Sequence, residues 1–117
     1  MKQKIVATLI CVLMAQIIFA QEYDPSRIQQ LENNLEALSV EVPGLSEKID
    51  ITMQRANLST FLLAISEVHS VNIDVSPALQ QVEIINNFKD VPVSDVLVYL
   101  SKIYNLSIDF TGSILFF

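Results

Sequence analysis

Apolar residues recur along this chain in two rhythms, and the rhythms themselves recur. Leu58, Phe61, Leu62, Ile65 and Val68 step by three and four, which predicts a helix with one apolar face. Leu63 and Ala64 widen that face. Val71, Ile73 and Val75 then alternate with polar residues as in a half-buried strand, up to Ser76-Pro77. Thirty-five positions on, the series returns: Val93, Val96, Leu97, Leu100 and Ile103 on a helical face, Val98 and Tyr99 beside it, then Leu106, Ile108 and Phe110 in alternation. The stretches 57–76 and 92–111 align without a gap, setting Ser59 on Ser94, Leu62 on Leu97, Ser66 on Ser101 and Ile73-Asp74 on Ile108-Asp109. A repeat of this kind is one supersecondary unit used twice. Neither unit can hide its apolar face alone, so the expectation is one small domain of two packed halves.

Each helix is preceded by a strand-like stretch. From Lys48 to Gln54, Ile49, Ile51 and Met53 share one face while Asp50, Thr52 and Gln54 share the other. From Val82 to Lys89, Val82, Ile84 and Phe88 share a face, although Asn86 on that face and Ile85 on the other interrupt the alternation. Asn57 suits the N-cap of the first helix. Pro92 breaks the chain ahead of the second, whose first turn holds Ser94 and Asp95, an acid that complements the helix dipole. Thr111-Gly112-Ser113 predicts a tight connection into a last strand beginning at Ile114. Helices with apolar residues beyond one stripe need cover on more than one side, so the fold class expected is α+β, with two helices between two small sheets.

Three segments precede or compose this domain. Lys2 and Lys4 ahead of the apolar run 5–20 read as a secretory signal peptide, 1–20, cleaved after Ala20; an uncleaved signal anchor is the rival reading. The segment 21–47 holds an amphipathic helix and a linker. Asp24-Pro25 opens the helix, Ile28, Leu31, Leu35 and Leu38 form a narrow stripe, and Pro43-Gly44 is a turn signal. That helix either rests on the domain's own surface or serves as a self-association helix or strap. Residues 48–117 form the domain. The chain stops on apolar residues in mid-strand, so we expect it to be the front of a longer protein.

Composition narrows the function. The chain has 117 residues and a net charge of −6; beyond residue 20, five basic residues stand against thirteen acidic ones. That balance argues against nucleic acid, whose phosphates call for Lys and Arg, and against anionic membrane surfaces. The single cysteine, Cys11, lies in the apolar leader, so an exported chain has no thiol for a disulfide, metal site or nucleophile. Lipidation there is not expected, since Ile10 stands where a small residue belongs. His69 is the only histidine and has no partner placed for metal binding or catalysis. Asp74 and Asp109 are repeat-related and could be imagined as a proton-sharing pair, yet each reads better as the solvent-facing residue of a strand. The run 109–112 resembles an aspartic protease loop interrupted by Phe110. With two glycines, Gly44 and Gly112, there is no phosphate loop. Asn57-Leu58-Ser59 and Asn105-Leu106-Ser107 match the glycosylation pattern but suit a cap and a turn. No catalytic residue, cofactor, metal or small-molecule substrate is expected, and the reading is not an enzyme.

The order of these stretches also carries a family likeness. Ile49-Asp50-Ile51 leads to Leu58-Ser59-Thr60-Phe61-Leu62, then Val71-Asn72-Ile73-Asp74-Val75. The apolar strand 82–88 runs into Lys89-Asp90-Val91-Pro92-Val93, and Val96-Leu97, Leu100 and Tyr104-Asn105-Leu106-Ser107-Ile108 complete the series. In this pattern the region 49–117 resembles the short amino-terminal domain shared by secretins and TonB-dependent outer-membrane transducers (STN). The family's frequent glycine after each helix is absent, Ser70 and Asn105 standing there. The resemblance implies a β-α-β-β-α-β-β order and a periplasmic recognition domain of an outer-membrane protein. In a secretin of a type II secretion or type IV pilus system, such a domain docks inner-membrane machinery, and the chain would form a homo-oligomer through the rest of the protein. In a TonB-dependent receptor acting as transducer, it contacts an anti-sigma regulator. The helix directly before the domain and the absence of a TonB-box-like segment favour the secretin. A free-standing periplasmic binding protein or enzyme is the third reading.

A recognition domain with few charges needs a surface that gives affinity without deep pockets. An exposed sheet edge provides one, because a partner strand adds main-chain hydrogen bonds in register. The stretch Ile49, Asp50, Ile51, Thr52, Met53 and Gln54 is the candidate, since its outward residues include neither Pro nor Lys, the usual guards of an edge. The alternative is a central strand paired on both sides.

Overall fold

The computed structural model describes residues 25–117. The predicted signal peptide, Cys11 and the Asp24 cap lie outside the described residues. Among these, the elements run α1 (Pro25–Ser39), a 3₁₀ turn (Pro43–Ser46), β1 (Lys48–Asn57), α2 (Leu58–His69), β2 (Asn72–Asp74), a second 3₁₀ turn (Pro77–Gln81), β3 (Glu83–Pro92), α3 (Val93–Ile103), β4 (Asp109–Thr111) and β5 (Ile114–Phe116). The fold is α+β, with a two-stranded antiparallel sheet β1-β3 and a three-stranded sheet ordered β2-β5-β4. Leu58, Leu62, Val93, Val96, Leu97 and Leu100 of the helices share one core with Ile49, Ile84 and Phe88 of the first sheet and Leu115 of the second.

The repeat is structural and longer than its sequence likeness. β1 and β3 begin and end thirty-five positions apart, and the 3₁₀ turns before them close with equivalent bonds, Glu47 N–H to Gly44 O and Val82 N–H to Leu79 O. The β1-β3 ladder maps onto itself under the repeat. Lys48↔Pro92 exchanges with Asn57↔Glu83, Ile49↔Val91 with Ala56↔Ile84, Ile51↔Phe88 with Met53↔Asn86, and Thr52↔Asn87 returns to itself. Both register shifts obey the same rule. Asp50 opposes two residues, Lys89 and Asp90, while Ile85 opposes two, Gln54 and Arg55. Each helix then enters through a bond from the other copy: Leu58 N–H donates to Val82 O and Val93 N–H to Glu47 O, both at 2.8 Å.

Helix ends follow local chemistry. The Asn57 side chain accepts from the N–H groups of Ser59 and Thr60, as expected of a cap. Pro92 holds the equivalent place before α3 and offers no side-chain bond. Both helices end through a left-handed residue, Ser70 at φ 56° and Asn105 at φ 52°, at the positions where glycine was missed. In each, the next N–H reaches back five residues, Val71 to Ser66 O and Leu106 to Ser101 O, which satisfies carbonyls the helix leaves open. Gly112, at φ 58°, is the first of the two residues joining β4 to β5, the place a type II′ hairpin reserves for glycine.

α1 lies on the domain. Ile28, Leu31 and Leu35 are buried, Leu38 is half-buried, and the helix packs against α3 and the first 3₁₀ turn. The Arg27 guanidinium ties its start to the second copy by donating to Leu106 O and to Asn105 Oδ1. This is the reading in which the helix rests on the domain's own surface.

Some expected core positions are open. Val68 is 72% and Ile103 56% exposed, because both fall in the last helical turn, where the chain leaves through its left-handed residue. Leu63 and Ala64 face solvent instead of extending a covered face. In β1 only Ile49 is fully buried. Ile51 is 38% exposed, and Met53 is half-buried. The alternation of faces expected there persists, but the cover over the inner face is incomplete beyond Ile49.

Candidate functional site

Among the described residues β1 pairs with β3 alone, so its other edge is open and the central-strand alternative does not hold. The Pro77–Gln81 turn packs against the C-terminal end of β1, where the Asn57 amide donates to Gln80 O. The N-terminal half stays clear. There β1 and the outer side of α2 enclose an open groove of about 290 Å³, lined by Lys48, Ile49, Asp50, Ile51, Phe61, Ala64, Ile65, Val68 and His69.

The six residues expected to bind a partner divide in this setting. Ile49 belongs to the core and forms part of the groove wall. Asp50 is exposed at the groove. Ile51, two residues on from Ile49, also lines the groove and is left open to it. Thr52 is exposed, and its hydroxyl donates to Asn87 Oδ1 at 2.9 Å. Met53 packs partly against the core, and Gln54 lies in the second register shift. The groove's other wall, Phe61, Ala64, Val68 and His69, was not singled out for binding. A signal for it was in the repeat: Ala64 aligns with Tyr99, the largest change of side-chain size between the two copies, and His69 aligns with Tyr104.

The electrostatics are modest. Lys48 Nζ lies 3.4 Å from Asp90 Oδ1, an exposed pair worth little to stability. His69 Nδ1 lies 2.6 Å from Glu47 Oε2. That contact, with Gly44 packed under the His69 carbonyl, fixes the end of α2 beside the groove. Asp74 and Asp109 both oppose Phe116 from opposite sides of β5. Their strands are therefore about 10 Å apart, too far for the carboxyls to share a proton. Among the described residues no group of three or more His, Cys, Asp or Glu is placed to hold a metal ion.

A larger depression, about 530 Å³, lies between α1 and α3, with Glu32, Glu36 and Asp95 among its walls. Its long walls are helices, which present no strand edge for a partner's main chain to extend. The groove beside β1 combines an unpaired main-chain edge with apolar side chains, and it is the site on which a function can be built. Comparison of the chain with family models, with characterised proteins and with solved structures finds no match.

Proposed function

We propose that this domain recognises a protein partner by accepting one of its segments as an added strand on the open edge of β1. The observation that carries this is the unguarded edge lying directly over an apolar groove. Main-chain hydrogen bonds would supply affinity and the groove would select side chains. Taken with the STN-like order of elements, the reading extends to a periplasmic domain of an outer-membrane secretin that docks inner-membrane secretion or pilus machinery. The second reading, a transducer domain contacting an anti-sigma regulator, uses the same edge. The open reading frame beyond residue 117 separates them: further small domains before a barrel-forming region for the secretin, a plug and a large barrel for the transducer.

Proline tests the edge. Along the regular stretch 51–53, successive N–H groups point to opposite sides of the strand, so either Ile51 or Thr52 directs its N–H outward. Proline is tolerated at the outward position and unfolds the ladder at the other. Of Ile51→Pro and Thr52→Pro, the one that keeps its melting temperature is expected to lose binding to the periplasmic segment of the inner-membrane partner. Unchanged binding in the folded variant would move the docking site off this edge.

A further inference from the structure

The two copies of the repeat differ in how they fill the angle between strand and helix, with the largest single change of side-chain size at Ala64 against Tyr99. In the second copy, the residues equivalent to Ile51, Ala64 and His69 are Asn86, Tyr99 and Tyr104. Those three are bonded together: the Tyr99 hydroxyl donates to Asn86 Oδ1 and the Asn86 amide donates to the Tyr104 hydroxyl, each at 3.3 Å. Tyr99 also meets Phe88 edge-on, with ring centroids 5.6 Å apart, and Phe88 stacks on Phe61 at 6.1 Å. Two tyrosines thus occupy the angle between β3 and α3. The matching angle between β1 and α2 holds an alanine and a histidine, and stays open over Phe61, Ile65, Ile51 and Val68.

We infer that this groove receives an aromatic side chain with a basic neighbour, carried on the docked strand of the partner protein. The inference rests on the strand-docking reading above. The shape argument comes from the molecule itself, since the same backbone frame houses tyrosine rings in the other copy. An aromatic ring brings a large apolar area and little conformational entropy to such a place. The charge argument is independent. Lys48 is engaged by Asp90, whereas Asp50 at the groove has no ion-pair partner among the described residues. Residues 25–117 carry eleven acidic side chains against five basic ones, so a cationic strand is also favoured at longer range.

The test uses the full chain and blocked hexapeptides. The probe is acetyl-Thr-Val-Tyr-Lys-Val-Thr-amide, with versions carrying Ala for Tyr or Glu for Lys, followed through the backbone amide resonances of β1 and α2. The Tyr-Lys peptide is expected to bind about tenfold more tightly than the Ala version, in line with burial of one aromatic side chain, and the Glu version more weakly than the parent. Ala64→Tyr, which fills the groove as the second copy is filled, should abolish the preference for Tyr while β1 amides still respond. If that variant fails to fold, Val68→Ser, at an exposed groove position, should lower the preference. Equal binding of the Tyr and Ala peptides at β1 would overturn the aromatic site and leave strand docking standing. Absence of any response in β1 would overturn both. Self-association of the chain that is lost in Ala64→Tyr would show a second copy in the groove and overturn the proposal.

Discussion

Thr52 donates its hydroxyl to Asn87 Oδ1 at 2.9 Å, and the two residues hold the same position of the thirty-five-residue repeat. Their pair is the one rung of the β1-β3 ladder that the repeat maps onto itself. The local two-fold of the domain therefore passes through this contact, and the two copies meet there as equals in sequence position while differing in side chain. Cross-strand pairs of this kind contribute about 0.2–1 kcal/mol. A double-mutant cycle of Thr52→Ala and Asn87→Ala, read by chemical denaturation, should return a coupling in that range. Coupling indistinguishable from zero would mean that the rung is held by its backbone alone.

The helices should fail alike. Leu62 and Leu97 are repeat-equivalent and both fully buried. Truncating a buried leucine to alanine costs about 2–5 kcal/mol, a large share of the roughly 5–15 kcal/mol that holds a domain together. Leu62→Ala and Leu97→Ala should each lower the denaturation midpoint clearly and by similar amounts. A small shift in only one would mean that the two halves are not packed as equivalents.

Helix exit offers a prediction of opposite signs. A Cβ on Gly44 would stand 1.7 Å from the His69 carbonyl oxygen, so even alanine must force the first 3₁₀ turn away from α2. Gly44→Ala should cost about 1–3 kcal/mol, as overpacking does. Ser70, left-handed without being glycine, carries strain of about 1–2 kcal/mol. Ser70→Gly should accordingly raise the melting temperature. Asn105→Gly should gain less, because asparagine tolerates this backbone region and its side chain accepts from Arg27. Thermal unfolding of the three variants checks the order.

α1 should unfold with the domain and not before it. Leu35 is buried in the common core alongside Leu31 and Leu45. Leu35→Ala should lower the stability of the whole domain by about 2–5 kcal/mol, with amide exchange in α3 rising in step. A variant that frees α1 and leaves α3 protected would show the helix to be a detachable strap.

The leucine-rich faces, the alternating strands, the Asn57 cap and the Gly112 turn were legible because each is a local demand: periodicity, an orphan N–H, a positive φ. The α+β class followed from the alternation of helical and strand periods, although Leu63 and Ala64, which widened the first helical face, came out exposed. What the sequence alone left undecided was which edges would stay open. Alternation assigned Ile51 to the core with Ile49, yet Ile51 is 38% exposed and lines the groove, where the cover over that face runs out. Val68 and Ile103 kept the helical spacing of core residues and came out exposed, because spacing says which face a residue is on and not how far the covering sheet extends. The groove itself is a product of tertiary structure. Its floor and walls come from residues up to twenty-one positions apart, and Ala64 and His69 stand in it where the second copy places tyrosines. Sequence determined the repeated unit; pairing the two units back to back decided that one flank would be filled and the other left free.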